Sequence, residues 1–496
     1  MSSSADAGAM RWSTLLWLAT AGGRADRTRI ALTAVGAAAG VLALLAAATV
    51  AATGEGDGPY TSQLLNETGL HIGIVIALVL LCVPVLAFTG QCARIGAPAR
   101  DRRLAALRLT GATPSDVARV AAVETGLAAA LGSLIGLGVY LVGRVLLGNP
   151  VTATYERSTE ISSNGYLIED VTGPALRLPT DVLPPVWLIA LLVLAVPVAA
   201  TVFALAALRR VTTTPFGVVR SQRVRPVQVV PAALFVLGAG GMALFAGLVR
   251  VAGIDGGVGR VPAVVFLLLF LCTAIGIVLG TAAVSARVGE FLARRTGRPA
   301  LLIAGRRLVA APFAASRSHA ALLVVVLLAA AIQGFRSHTL LSQRQSGNEF
   351  YARALDTVDL ALVVAGAIAV AGLLVGTIEG VLSRRRAAAA LVAAGVPRAV
   401  LGRALLLEVL VPVVPATLLA TAAGILAARG VMGTTVQEST YSATGRVLQV
   451  VETAVPVPWT ALAVIVGGTT LATAALTLIA LPILHRSADP GELRTA

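Results

Sequence analysis

The chain has 496 residues, 57% of them hydrophobic and 13% charged, with a net charge of +15. Its mean hydropathy of +0.87 is too apolar for a soluble protein of this size, so the chain reads as a polytopic membrane protein that places Arg at cytoplasmic membrane borders and binds no nucleic acid. All 39 basic residues are Arg; a Walker A loop, which needs a Lys to reach the phosphates, is excluded, and any ATP hydrolysis belongs to another polypeptide.

Taken in order, the chain opens with residues 1–29, a segment whose stretch Arg11–Gly23 (RWSTLLWLATAGG) suits either an amphipathic helix in the inner interface or a frayed tail. A first span is expected over Ile30–Ala52, a polar outer loop over Thr53–Gly69 and a second span over Leu70–Gly90. A basic cytoplasmic stretch follows from Arg100, leading into a third span over Val120–Leu147. Gly148–Pro185 is the longest outer loop, and its composition suits a small strand pair. A fourth span over Val186–Leu208 completes a first four-span unit, residues 30–220. Residues 221–287 form a two-span linker, Val230–Leu248 and Pro262–Ala286. A second basic, interfacial segment covers 288–318.

The second four-span unit, 319–496, has spans at His319–Phe335, Val358–Leu382, Ala404–Ala428 and Trp459–Leu484. Its outer loops are Arg336–Thr357 and Arg429–Pro458, the latter mirroring the long loop of the first unit. The fold class is therefore an all-α polytopic membrane protein of about ten transmembrane helices arranged 4+2+4. About 29 Arg fall in segments assigned inside and about 10 outside, so both termini are expected in the cytoplasm.

The duplication is carried by two stretches. The first is RDRRLAALRLTGATPSDVARVAAVETGLAAAL, Arg100–Leu131; the second is SRRRAAAALVAAGVPRAVLGRALLLEVLVPVV, Ser383–Val414. One offset sets Arg102 on Arg386, Leu107 on Leu391, Gly111 on Gly395, Arg119 on Arg403 and Glu124 on Glu408. In each copy a short helix, a Gly/Pro turn and a spanning helix follow one another.

Such a short helix can dock into a groove on a soluble partner through apolar side chains at helical spacing with Arg at the rim. The candidates are Arg103, Leu104, Leu107, Leu109, Gly111 and Pro114 in the first copy, and Arg386, Leu391, Val392, Gly395 and Pro397 in the second. Arg119, Glu124, Arg403 and Glu408 are inner-border charges. The acids suit pairing with Arg or with free N–H groups near a helix start, and ordinary interface anchoring accounts equally for such charges.

No catalytic constellation is present, and the chain shows no HExxH, GxSxG or CxxC. The four His lack metal-ligand spacing, and none of Cys82, Cys92 and Cys272 has a plausible outer partner for a disulfide. No Asp, Glu or Arg sits clearly at a midplane, which disfavours an ion-coupled carrier.

The stretch from Arg100 resembles the FtsX-like (MacB-like, type VII) permease domain of ABC transporters, and the tail PGELR is similar to that family's ending. The resemblance implies a permease that carries no cofactor itself and works with a separate ATP-binding subunit, in two copies, which holds ATP and magnesium. It implies export or extraction of a hydrophobic or amphipathic molecule such as an antibiotic, peptide or lipid. The alternative is mechanotransmission to an extracellular partner, a hydrolase or sensor kinase. Members of the family often carry a large domain between spans one and two; here that loop is only Thr53–Gly69.

Overall fold

Runs of Ala, Leu and Val leave the backbone as the main polar group of the apolar segments, and a helix satisfies it without help from a neighbour. The structure is a computed structural model that describes residues 14, 24–53, 59–62, isolated positions from 65 to 85, 109–162, 165–212, 229–247 except 246, 260–344, 350–441 and 447–487. Contacts divide the chain into two units, residues 1–219 and 220–496.

The first unit contains α1 (Arg24–Ala52), α2 (Pro114–Leu147), an antiparallel hairpin of β1 (Val151–Ser162) and β2 (Gly165–Ala175), and α3 (Val186–Thr212). All three helices pack on one another. The closest approach is α1 on α2. A Cβ on Gly136 would stand 2.6 Å from the Ala38 carbonyl oxygen, and one on Gly132 would run into that of Ala34. Two glycines four residues apart thus let the helix backbones touch. Beside them Ala37, Val41, Leu45, Ala129, Tyr140 and Val196 form a buried core. Inside it the Thr49 and Tyr140 hydroxyls share a 2.6 Å hydrogen bond.

The second unit begins with α4 (Val229–Ala243), α5 (Arg260–Arg295) and α6 (Pro299–Ala310). It continues with α7 (Pro312–Ser342), α8 (Phe350–Ser383), α9 (Arg385–Ala393) and α10 (Arg398–Met432). A hairpin of β3 (Thr435–Tyr441) and β4 (Val447–Ala454) leads to α11 (Trp459–Ser487). Here α7, α10 and α11 pack pairwise as α1, α2 and α3 do in the first unit. At the first unit's offset, Ala416 and Ala420 of α10 occupy the places of Gly132 and Gly136 and are buried. Helix α8 adds itself against α7 and α11, while α4 and α5 pack together and also on α10.

Among the described residues seven helices are long and apolar enough to cross a membrane. Helices α3 and α4 have shorter apolar windows, Val186–Val202 and Val230–Ala243. Most of the expected second span lies outside the described residues, although Ile74, Val75 and Leu78 pack against Val50, Tyr60 and Leu65. The chain is thus a multi-pass, mostly helical membrane protein.

One expectation changes. The loop assigned to Arg336–Thr357 is mostly helix, because α7 continues to Ser342 and α8 starts at Phe350. The reason is electrostatic: Arg336 pairs with Asp356 at 2.7 Å and Asp359 at 3.0 Å, so polar residues tie the two helix ends together instead of unwinding them. The segment 288–318 holds the last turns of α5, all of α6 and the first turns of α7. Helix α6 seats on α5 at paired glycines: a Cβ on Gly289 would lie 2.8 Å from the Gly305 carbonyl, and one on Gly305 would lie 2.7 Å from that of Gly289. The class stays mostly helical; the first long loop forms the expected strand pair, and the second forms a matching hairpin.

Candidate functional site

The two copies of the repeated stretch meet the structure at Gly111 and Gly395. Both take a left-handed backbone, with φ of 98° and 91°. Each stands three residues before a long helix, α2 or α10, and Gly395 follows the end of α9. This end of the long helix is the turn end; the other is the hairpin end.

In the second unit the geometry is a Schellman motif that terminates α9. The Gly395 N–H donates to the Val392 carbonyl at 2.9 Å and the Val396 N–H to that of Leu391 at 3.0 Å. Leu391, Val392 and Val396 then pack against the buried cluster of Val381, Ala388, Leu401, Leu405 and Leu484. Leu391 and Val392 therefore serve first to seat α9 on its own unit. The face α9 leaves exposed carries Arg386, Ala387, Ala390 and Ala393, continued by Pro397 and Arg398. Arg403 is also exposed.

The first unit starts its long helix differently. Thr113 caps α2 with a capping box: its hydroxyl accepts from the Asp116 N–H at 3.2 Å, and the Asp116 carboxylate accepts from the Thr113 N–H at 3.2 Å. Ala112 before the cap packs on Val117 and Ala121. Pro114 takes the first helical position, where its missing N–H costs nothing. In the second unit Pro397 is itself the cap residue and no side chain caps the helix. The two prolines thus stand at different cap positions. Leu109 is 90% exposed. Arg103, Leu104 and Leu107 lie outside the described residues.

Of the two acids singled out in the repeat, Glu408 has Arg partners, and they come from other helices. Glu408 pairs closely with Arg384, the cap residue of α9, and with Arg307 of α6 at 3.5 Å. It thereby links α10 to both short helices. Arg403, five residues earlier, points elsewhere, as a five-residue step on a helix must. Glu124 is the equivalent of Glu408 and is 3% exposed; Arg119 is exposed. Arg384 and Arg307 were not singled out from the sequence. A signal did exist, because the offset that sets Glu124 on Glu408 also sets Arg100 on Arg384.

The hairpin ends repeat a second device. Arg144, in the last turn of α2, donates to the Val182 carbonyl, and Arg429, in the last turn of α10, donates to that of Val455 at 3.3 Å. Each acceptor stands four residues before the next long helix, α3 or α11. A guanidinium at a helix C-terminus complements the helix dipole while it anchors the returning strand. In the first unit Tyr60 adds a link, donating to the Asp181 carboxylate at 3.0 Å. Burial, together with that carboxylate, raises the Tyr60 phenol above its ordinary pKa.

Residues 72–215 match the family model described as FtsX-like permease C-terminal. The match supports the FtsX-like permease family, and with it a membrane permease component of ABC-transporter type whose relatives are membrane subunits and not themselves enzymes. It spans the first turn, α2, the first hairpin and α3. No curated protein and no solved structure matches the chain significantly.

Proposed function

We propose that this chain is the permease subunit of an ABC exporter in which two copies of a separate ATP-binding subunit dock at the two turn ends. The carrying observation is the left-handed glycine three residues before a long helix in both units, which in the second unit ends a short helix beside the long one; the first copy lies inside the family match. On this reading the chain has ten spans in a 4+2+4 arrangement, with the turn ends and both termini in the cytoplasm. The units are 30–220 and 319–496, joined by 221–287. ATP and magnesium sit on the partner, and the cargo is hydrophobic or amphipathic.

In the second unit the docking face is the small, Arg-rimmed one of Ala387, Ala390 and Ala393, between Arg386 and Arg398. Small side chains let another protein approach the helix closely. Motion of α9 then reaches α10 through Arg384–Glu408 and α6 through Glu408–Arg307.

A second reading, mechanotransmission to an extracellular partner, draws on the first hairpin. Strands of 12 and 11 residues extend roughly 35–40 Å at about 3.3 Å per residue, and Arg144 ties their return segment to α2.

The test is copurification of the ATPase with Ala390→Trp and Leu107→Asp variants at matched expression. Both should insert normally and lose partner and stimulated hydrolysis. Full binding and full stimulated hydrolysis by both variants would refute the docking assignment. Mass spectrometry of what stays bound to the wild-type complex separates cargo export from an extracellular protein partner.

A further inference from the structure

The second unit holds a cavity of about 90 Å³ at its turn end. Arg307, Ser318, His319, Thr377, Arg384 and Glu408 form its polar wall, and Leu405, Val409 and Leu484 are among its apolar lining. The charges do not balance. Two guanidiniums face one carboxylate, so the lining is positive even with His319 neutral, and Arg stays charged at any physiological pH.

Glu408 uses its two partners unequally. Its Oε1 accepts from Arg384; its buried Oε2 makes no hydrogen bond, and Arg307 stands 3.5 Å away. Among the described residues this ion pair is the side-chain interaction of Arg307. Toward the described residues, a mostly buried guanidinium therefore has a planar fork of donors still to spend. Planar, bidentate recognition of phosphate oxygens is what such a fork does best. The aliphatic side of the wall suits the first carbons beyond a charged head. At about 90 Å³ the cavity has room for one phosphate group but not for acyl chains, which would stay in the bilayer.

We propose that this cavity binds the phosphate group of a membrane phospholipid, held by Arg307 and Arg384, with Glu408 as the internal anion that the phosphate displaces. Arg384 caps α9, so the lipid engages the same residue that links α9 to α10. The proposal stands apart from the transport reading, since it concerns what this chain binds without its ATPase.

The experiment titrates the purified full chain, in a phosphate-free detergent, with phosphatidylglycerol, diacylglycerol, inorganic phosphate or glycerol phosphate. Bound ligand is read by native mass spectrometry and by the shift in melting temperature. Phosphatidylglycerol should bind and diacylglycerol should not. Binding of glycerol phosphate as tight as that of the lipid would keep the phosphate site but overturn its lipid source.

Two variants then separate a ligand site from a purely structural ion-pair network. Arg307→Gln should weaken the lipid about tenfold, the scale of one charge-assisted hydrogen bond. Glu408→Gln should tighten it by a similar factor, because the competing carboxylate is gone. Should Arg307→Gln fold poorly, Arg307→Lys keeps the charge, loses the fork and should weaken the lipid less. Equal binding of phosphatidylglycerol and diacylglycerol overturns the proposal, as do affinity changes of the same sign in the Arg307 and Glu408 variants.

Discussion

Replacing Gly395 with Ala isolates the backbone contribution to the turn. The residue sits at φ 91°, and a Cβ built on it would meet nothing within 4 Å. Any effect of Gly395→Ala therefore comes from conformation and not from collision. A non-glycine residue in the left-handed region costs roughly 1–2 kcal/mol. Relaxing to negative φ instead would break the two Schellman hydrogen bonds to Leu391 and Val392, worth roughly 0.5–1.5 kcal/mol each. Either way, correctly aimed α9 should lose about 1–2 kcal/mol, a 5- to 30-fold fall in its population relative to misaimed states. Gly395→Asn should lose less, since Asn tolerates this conformation. Gly111→Ala should parallel Gly395→Ala, because its φ is 98° and its Cβ space is also open. Gly467→Ala, within α11 and equally open, is the control and should be neutral or stabilising by up to about 1 kcal/mol. The assay is ATPase copurification alongside thermal unfolding of the chain alone. The reasoning is refuted if Gly395→Ala binds its partner as the wild type does, or if the Asn variant is worse than the Ala variant.

Gly132→Ala should separate α1 from α2 and cost about 2–3 kcal/mol, as overpacking against a backbone carbonyl does, whereas Gly138→Ala, with open space around it, should not; detergent thermal unfolding distinguishes them. A double-mutant cycle on Arg384→Ala and Glu408→Ala should give a coupling of about 1–2 kcal/mol, because Arg384 is a third exposed and part of a fully buried pair's strength is screened. Independent effects of the two changes would remove Glu408 from the linkage between α9 and α10. Tyr60→Phe should destabilise the first unit by about 1 kcal/mol at neutral pH, the worth of one hydrogen bond. Since the fold favours the neutral phenol, that contribution is complete below the unfolded pKa of about 10 and declines only as pH rises above it. Stability curves of wild type and variant should therefore converge in alkali and run parallel below pH 9.

Much of this protein was legible in local pattern. Apolar length gave the helices because an unpaired peptide group in hydrocarbon is so costly that each long run had to satisfy its own backbone. Gly111 and Gly395 were identifiable as turn residues because a break between two helical patterns calls for a residue free to take positive φ. The offset between the two stretches was likewise a property of sequence alone, and it carries through to the matching glycines. What the chain could not reveal locally was direction and partnership. Leu391 and Val392 read as an outward apolar face, yet the packing of α9 on α8, α10 and α11 residues turned them inward and left alanines outside. Glu408 found Arg384 and Arg307, 24 positions and a whole helix hairpin away, because three helix ends converge there. Arg336 likewise held two helix ends folded where polarity alone suggested a loop. Periodicity and turn chemistry act between residues a few positions apart, so sequence determines them. Which face of a helix is buried, and which charge meets which, depends on neighbours brought together only by tertiary packing.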